Sequence, residues 1–307
     1  MKKILFLLSL LFLLSGTLFW QIRQLPSSPA STATKTIPPV HFPFFKRKAV
    51  TLIAVGDVML GRMVNVQMLK YQDFKYPFLK TASTIAAADI TFGNLESPII
   101  DNCPTTSVGM IFCSREEAIE GLKFAGFDVL SIANNHILNH GPEGLSQTTA
   151  LLNKNGILPS SNQLTSYLAN KLTFGFLSFD LVTYPKAAVV EEVKKNANKV
   201  DVLVVSLHWG GEYQKEPLPW QKDLAHQIID SGAKVIIGHH PHVTQPTEKY
   251  QSGLIFYSLG NFIFDQPWSE KTKKGKIAKV VFEGKNIKSY EEIAIYIADY
   301  SQPQFSQ

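Results

Sequence analysis

Three histidines fall within four positions in the stretch Gly238–Val243, which reads G-H-H-P-H-V. It directly follows Val235-Ile236-Ile237, a β-branched apolar run of the kind that forms a buried strand. The histidines are therefore expected just past the carboxyl end of a strand, where open α/β sheets place their ligands. Pro241 stops the strand and stiffens the turn. Imidazole is a strong ligand for borderline divalent metals. A histidine-rich surface turn is the competing reading, and the other strand ends weigh against it.

Val50–Val55 leads to Asp57, Ile90–Phe92 to Asn94 and Glu96, and Val129–Ile132 to Asn135 and His136. Val202–Ser206 leads to His208, and Leu254–Ser258 to Asn261. One polar residue after a strand is ordinary, but this many strands ending alike is a pattern. Two carboxylates, amides and imidazoles make a mixed oxygen and nitrogen donor set. It suits Mn²⁺, Fe or Zn²⁺ better than Ca²⁺, which takes oxygen only. Such an ion acidifies a bound water and polarises a phosphoryl or carbonyl oxygen. A histidine left free beside it serves as general acid or electrostatic stabiliser. Other chemistries lack their signatures: there is no G-x-S-x-G, no P-loop and no G-x-G-x-x-G.

The elements that must position these residues alternate along the chain. Helical segments are expected at Arg62–Lys70, Pro77–Ala88, Pro142–Asn153, Lys186–Asn196 and Trp220–Asp230. Another is expected from Ser114, where Glu117 completes a capping box, to near Gly126. Leu172–Phe179 reads as a further strand, and Ile277–Phe282 and Ile293–Ile297 as edge strands. Strands alternating with helices indicate an α/β fold.

The 307 residues allow one large domain with a sizeable core. The net charge of +5 is unevenly spread. Residues 1–48 hold seven basic residues and no acidic one, which leaves 23 basic against 25 acidic beyond them. The folded part is not basic, so no nucleic-acid partner is expected.

Lys2 and Lys3 precede the apolar stretch Ile4–Trp20, whose 17 residues reach the lower limit for a bilayer span, roughly 17–25 residues. Trp20 and Arg23 suit an interface. A cleaved signal peptide is the alternative, with Ile4–Leu14 as its apolar region, although no A-x-A site follows. Residues 1–23 thus read as a single-pass anchor with the domain outside the cytoplasm; the signal-peptide alternative makes the protein secreted. Residues 24–48 form a proline-rich linker. Residues 49–270 form the main domain, and 271–307 a C-terminal extension that adds edge strands to it. Cys103 and Cys113 are the two cysteines, and in an exported chain they read as a disulfide.

The motifs carry a resemblance. Gly56-Asp57-Val58-Met59-Leu60-Gly61, Gly93-Asn94-Leu95-Glu96-Ser97-Pro98 and Ala133-Asn134-Asn135-His136 look like those of the CapA family of capsule synthesis, linked to poly-γ-glutamate. His208-Trp209-Gly210, Gly238–Val243 and Tyr257–Phe262 do so as well, in the family's order. The likeness covers about Thr51–Gln266. That family resembles calcineurin-like metallophosphoesterases, which implies a four-layer α/β/β/α sandwich with two central sheets. By the same likeness Asp57, Glu96, Asn135, His208, His240 and His242 are metal ligands, and His136 is the catalytic histidine that assists the leaving group. Asn94, His239 and Asn261 stand behind the ligands as supports, with His239 the alternative to His240 as a ligand. Two departures stand out. Met59 occupies the place of a ligand histidine, and a thioether is a poor ligand for a hard metal. Asn139 stands where related chains show aspartate.

The resemblance implies a membrane-anchored, extracytoplasmic protein of capsule or poly-γ-glutamate biosynthesis or export, with one or two divalent ions. Its partners would be an anionic polymer, capsule-synthesis membrane proteins and the membrane itself. Two alternatives are an active metal-dependent hydrolase of phosphoester or amide bonds and a non-catalytic polymer-binding scaffold.

Overall fold

The apolar runs become two sheets that face each other. The computed structural model describes residues 49–306 other than Tyr184. The first sheet is built on four parallel strands, β1 (Val50–Val58), β2 (Ile90–Leu95), β3 (Val129–Ser131) and β4 (Leu158–Ser160). The second holds β5 (Thr165–Ala169), β6 (Leu172–Asp180), β7 (Val202–His208), β8 (Val235–His239), β9 (Thr247–Tyr250) and β10 (Gly253–Phe256). Its order is β5-β6-β7-β8-β10-β9, parallel at the centre and antiparallel at both edges. The chain then returns to the first sheet through β11 (Asn261–Ile263), β12 (Lys274–Glu283), β13 (Asn286–Ile297) and β14 (Pro303–Phe305). That sheet runs β14-β13-β12-β1-β2-β3-β4, with β11 also paired to β1.

Alternation along each strand sorts its side chains between layers. In β1, Leu52 and Ala54 face the second sheet, whereas Ile53 and Val55 face helices. In β7, Val202 and Val204 face the first sheet, whereas Leu203, Val205 and Leu207 face helices on the other side. Phe92 stacks on Phe176 between the sheets at 5.5 Å, and Phe174 meets Phe282 edge-on at 5.2 Å. Each such side chain contributes about 1.5–3 kcal/mol when buried. Outside the first sheet lie α1 (Arg62–Tyr71), α2 (Ala82–Ile85), α3 (Ala118–Phe124) and α4 (Gly141–Lys154). Outside the second lie α5 (Lys186–Ala197) and α6 (Pro219–Asp230). This is the four-layer α/β/β/α sandwich that the resemblance implies.

Several expectations change in detail. No helix starts at Ser114. Its backbone N–H donates to Pro98 O and its carbonyl accepts from Ile100, which draws it into a bridge with Ile99. The helix begins at Ala118, and the Glu117 side chain makes no capping bond. Of the segment expected at 77–88, only a 3₁₀ turn at Tyr76–Phe78 and the short α2 are helical. The backbone of Asp89 already pairs with Thr51, so the chain must straighten there to enter β2. Neither Ile277–Phe282 nor Ile293–Ile297 is at an edge, because β12 pairs with both β1 and β13, and β13 pairs in turn with β14. Nor does β8 stop at Ile237: pairing with β7 continues to His208 opposite His239.

The anchor and linker expected in residues 1–48 lie outside the described residues. Among the described residues, no helix is long and apolar enough to cross a membrane.

The ends of the central strands are drawn together at two glycines. A Cβ on Gly56 would stand 1.9 Å from Gly260 O, and one on Gly238 would stand 1.9 Å from Tyr257 O. Only glycine permits these approaches, and they bring the segment after β10 against the carboxyl ends of β1 and β8.

Candidate metal centre

The site forms where β1, β2, β3, β7 and β8 end. Asp57, next to the last residue of β1, is fully buried. Its Oδ1 lies 3.0 Å from His239 Nδ1 and accepts from Asn94 Nδ2 at 2.9 Å. Its Oδ2 accepts from the His240 backbone N–H at 3.3 Å and lies 3.3 Å from His242 Nδ1. Glu96, just past β2 and equally buried, places Oε1 3.6 Å from His242 Nε2.

Asn94 sits between these groups. The same Nδ2 lies 3.4 Å from Glu96 Oε2 and 3.4 Å from His208 Nδ1. Its Oδ1 accepts from Asn134 Nδ2 at 3.1 Å, which fixes the amide's orientation. His208, the last residue of β7, turns Nε2 to Asn135 Oδ1 at 2.8 Å. Behind His242, Asn261 Oδ1 lies 3.0 Å from Nδ1, and Asn261 is held in turn by Gln266 and the Thr272 carbonyl.

Two groups of three side chains converge. Ligand atoms of Asp57, Glu96 and His242 all lie within 4.8 Å of one another, and so do those of Glu212, His240 and His242. A divalent ion at about 2.1 Å from each donor holds donors roughly 3–4 Å apart, so each group needs only a small contraction to close on one. His242 belongs to both. His208 and Asn135 stand beside these groups, joined to each other. His239 belongs to neither, and its Nδ1 backs Asp57.

Glu212 was not expected. It lies four residues past the end of β7 in an exposed loop, where no apolar run marks it. The signal available in the sequence was an acid closely following the strand-end histidine. Met59 also has a defined place. It is buried, and its sulfur accepts from the Gly61 backbone N–H at 3.0 Å. That thioether is engaged within its own turn.

The polar atoms fit a cation. Glu96 Oε1 and His240 Nδ1 are buried without a hydrogen-bond partner among the described residues, as is His239 Nε2. An unmet buried polar group costs about 1–3 kcal/mol. Burial, and then the negative charge of Asp57 and Glu212, pushes the Glu96 carboxyl well above its usual value. Burial would also raise Asp57, but hydrogen bonds and charge from His239 and His242 override it and hold Asp57 well below the usual range. Burial, then the neighbouring His240, holds His208 well below the ordinary imidazole value. Burial, then His242, lowers His240 in the same direction. Neutral imidazoles and an ionised aspartate are the forms that bind metal. His240 and His242 both adopt the left-handed region, with φ of 92° and 56°. Each costs about 1–2 kcal/mol for a residue with a Cβ, and Pro241 between them holds the turn.

His136 is positioned from another direction. Its Nδ1 lies 3.0 Å from Asn139 Oδ1, which also accepts from the Phe112 backbone N–H at 2.7 Å. An atom receiving a backbone N–H is the amide's oxygen, so Nδ1 carries the imidazole proton and Nε2 is left as an acceptor. Burial pulls the His136 pKa down, which favours the neutral ring. The ring stacks on Phe112 at 4.0 Å. Phe112 adjoins Cys113, which is bonded to Cys103 with their Cα atoms 5.8 Å apart. Across Phe112 lies the Arg62 guanidinium, 4.5 Å from the ring centre and ion-paired with Asp265. Arg62 and Phe112, like Glu212, carried no motif. The Cys103→Ser/Cys113→Ser variant is expected to lose roughly 2–3 kcal/mol, read as a lower urea midpoint under non-reducing conditions. An unchanged midpoint would show that the bond does not constrain this loop.

The family described as "Bacterial capsule synthesis protein PGA_cap" matches residues 51–161 and 159–266. The chain is 32% identical to the "Capsule biosynthesis protein CapA" of Bacillus anthracis over 266 residues, 76% of this chain and 64% of that protein. It is 33% identical to the "PGA biosynthesis protein CapA" of Bacillus subtilis over 245 residues, 70% of this chain and 63% of that protein. A "Probable polyglutamine synthesis accessory protein" of Mycobacterium tuberculosis is 24% identical over 249 residues, 69% of this chain and 66% of that protein. The matches thus span less than two thirds of these relatives' own lengths. With the family's motifs lying at the converging strand ends, the chain belongs to the bacterial capsule synthesis protein PGA_cap family.

Proposed function

We propose that this protein serves capsule or poly-γ-glutamate biosynthesis or export, with one or two divalent ions, Mn²⁺, Fe or Zn²⁺, bound at the strand ends. The observation that carries this is the pair of three-residue groups sharing His242, in a chain of this family. Asp57, Glu96 and His242 would hold one ion, and Glu212, His240 and His242 the second, with Asn135 and His208 adjacent to complete its donors. Bound metal would supply an acidified water and a polarised oxygen. The chain's own residues do the rest. Asn94 orients Asp57, His239 fixes the aspartate from behind, and His136 offers Nε2 to take a proton from water, which it can then pass to the leaving group.

The hydrolase reading rests on His136, whose ring is fixed by Asn139 and Phe112 with Nε2 left as an acceptor. The test is hydrolysis of a chromogenic phosphodiester and of γ-glutamyl amides by the metal-loaded protein. His136→Ala is expected to lower the rate by about 10²–10⁴-fold with metal content unchanged. The scaffold reading rests on Met59, whose sulfur is spent on Gly61 where the resemblance calls for a histidine. Activity absent in both wild type and His136→Ala, with polymer still bound, would favour that reading.

The placement proposed is a single-pass anchor at Ile4–Trp20 with the domain outside the cytoplasm, supported by the apolar stretch after Lys2 and Lys3 and by the capsule-related names of the relatives. Protease added to intact cells is expected to remove the domain. Release of a soluble protein shortened at its N-terminus would instead mean a cleaved signal peptide and a secreted protein.

A further inference from the structure

The loops that carry the metal-binding side chains also lead away from them into a basic cavity. Glu212 is followed by Lys215 and Glu216 in the loop after β7, and His242 by Thr244 and Gln245 in the loop after β8. The two loops are fastened to each other. Tyr213 N–H donates to Pro241 O at 2.8 Å, and Gln245 Nε2 donates to Gln214 O at 2.9 Å. Together with residues 271–276 they line a cavity of about 410 Å³. Lys215, Lys271, Lys274 and Lys276 stand around it against one acid, Glu216. Lys276 is ion-paired with Glu292 and also donates to Gln245 O at 3.4 Å. The other three lysines are exposed and enter no ion pair among the described residues.

We propose that this cavity is a subsite for a polycarboxylate chain, set beside the metal-binding groups so that an acidic polymer lies across both. This deepens the proposed function and rests on its anionic-polymer substrate. Beyond residue 48 the chain has 23 basic and 25 acidic residues, so four lysines around one cavity are a local concentration and not the background. Their chemistry selects among anions. Lysine ammoniums are compact charges on long flexible stems, which suit separate carboxylates spaced along a chain. A single phosphate held bidentately calls for arginine forks, and among the described residues no arginine lines this cavity. The continuity of both loops supplies direction. Three positions separate Glu212 from Lys215 and three separate His242 from Gln245, so at most about 11 Å of backbone lies between the metal-binding groups and the cavity wall along each loop.

The test is binding of fluorescently labelled poly-γ-glutamate to the purified full-length protein, by anisotropy, with divalent metal and again with chelator. The variant Lys271→Glu/Lys274→Glu reverses two exposed charges and is expected to keep the wild-type circular dichroism and melting temperature. It should bind the polymer at least about tenfold more weakly, in both conditions, and the wild-type affinity should fall as salt is raised. Lys194→Glu/Lys195→Glu, on α5, should bind as the wild type does. Equal affinity of the Lys271→Glu/Lys274→Glu variant and the wild type would overturn the inference, as would a wild type that binds no poly-γ-glutamate. Tighter binding of inorganic polyphosphate than of poly-γ-glutamate would overturn the carboxylate assignment. Lysine-dependent binding in a protein that takes up no metal would leave this subsite standing and remove the metal centre alone.

Discussion

His242→Ala is expected to abolish the stabilisation that a divalent ion gives this protein, because His242 is the one side chain common to both candidate metal-binding groups. A ligand that binds only the folded state stabilises it by RT ln(1 + [L]/Kd), about 2.7 kcal/mol at a hundredfold excess over Kd. Losing His242 leaves Asp57 and Glu96 in one group and Glu212 and His240, beside Asn135 and His208, in the other, without the imidazole that joins the two. His240→Ala disrupts the second group only, and should keep part of the shift. The measurement is thermal unfolding with Mn²⁺ or Zn²⁺ against chelator for wild type and both variants. Equal metal-induced shifts in His242→Ala and His240→Ala would show that His242 is not shared.

Glu96 gives the second large effect, and its sign follows from burial. Its carboxyl is pushed well above the usual range by burial and by Asp57. A folded acid with a raised pKa holds its proton more tightly than the unfolded chain does. The stability it contributes is therefore present at low pH and lost as pH climbs from the usual carboxylate value toward the raised one. Metal requires the ionised form, so the shift it induces should grow over that same interval. Glu96→Gln removes the titrating carboxyl. The metal-free variant should be more stable than wild type near neutral pH by about 1–3 kcal/mol, with little of this pH dependence and a smaller metal shift. Asp57 acts with the opposite sign. It is held below the usual range, so its contribution is present above the usual carboxylate value and is lost as pH falls toward the lowered one. A Glu96→Gln variant less stable than wild type without metal would mean that Glu96 is stabilising as it stands.

What the sequence made legible was the set of strand ends. β-branched runs such as Val202–Val205 and Val235–Ile237 are unambiguous, and the polar residue that follows each must lie at one edge of a parallel sheet. Asp57, Glu96, His208 and the histidines of 239–242 were found on that ground. Glu212 escaped because it lies in an exposed loop whose approach to His240 depends on Tyr213 binding Pro241, a contact distant in sequence. The Ser114 helix failed for a related reason: its capping box is a local preference, and the bridge to Ile99 outweighs it. His239 was expected in the turn and lies within the strand, because backbone pairing with β7 outlasts the apolar run. The edge strands β4, β5, β9 and β14 were missed, being short and only partly buried.

The most direct measurement is the metal content of the purified full-length protein, by elemental analysis after removal of loosely bound ions. At least one divalent ion per chain is expected, reduced by Asp57→Ala and lost in His242→Ala, with a melting temperature that falls on chelation. No bound metal, together with a melting temperature indifferent to Mn²⁺, Zn²⁺ and chelator, would contradict a metal centre at Asp57, Glu96, Glu212, His240 and His242.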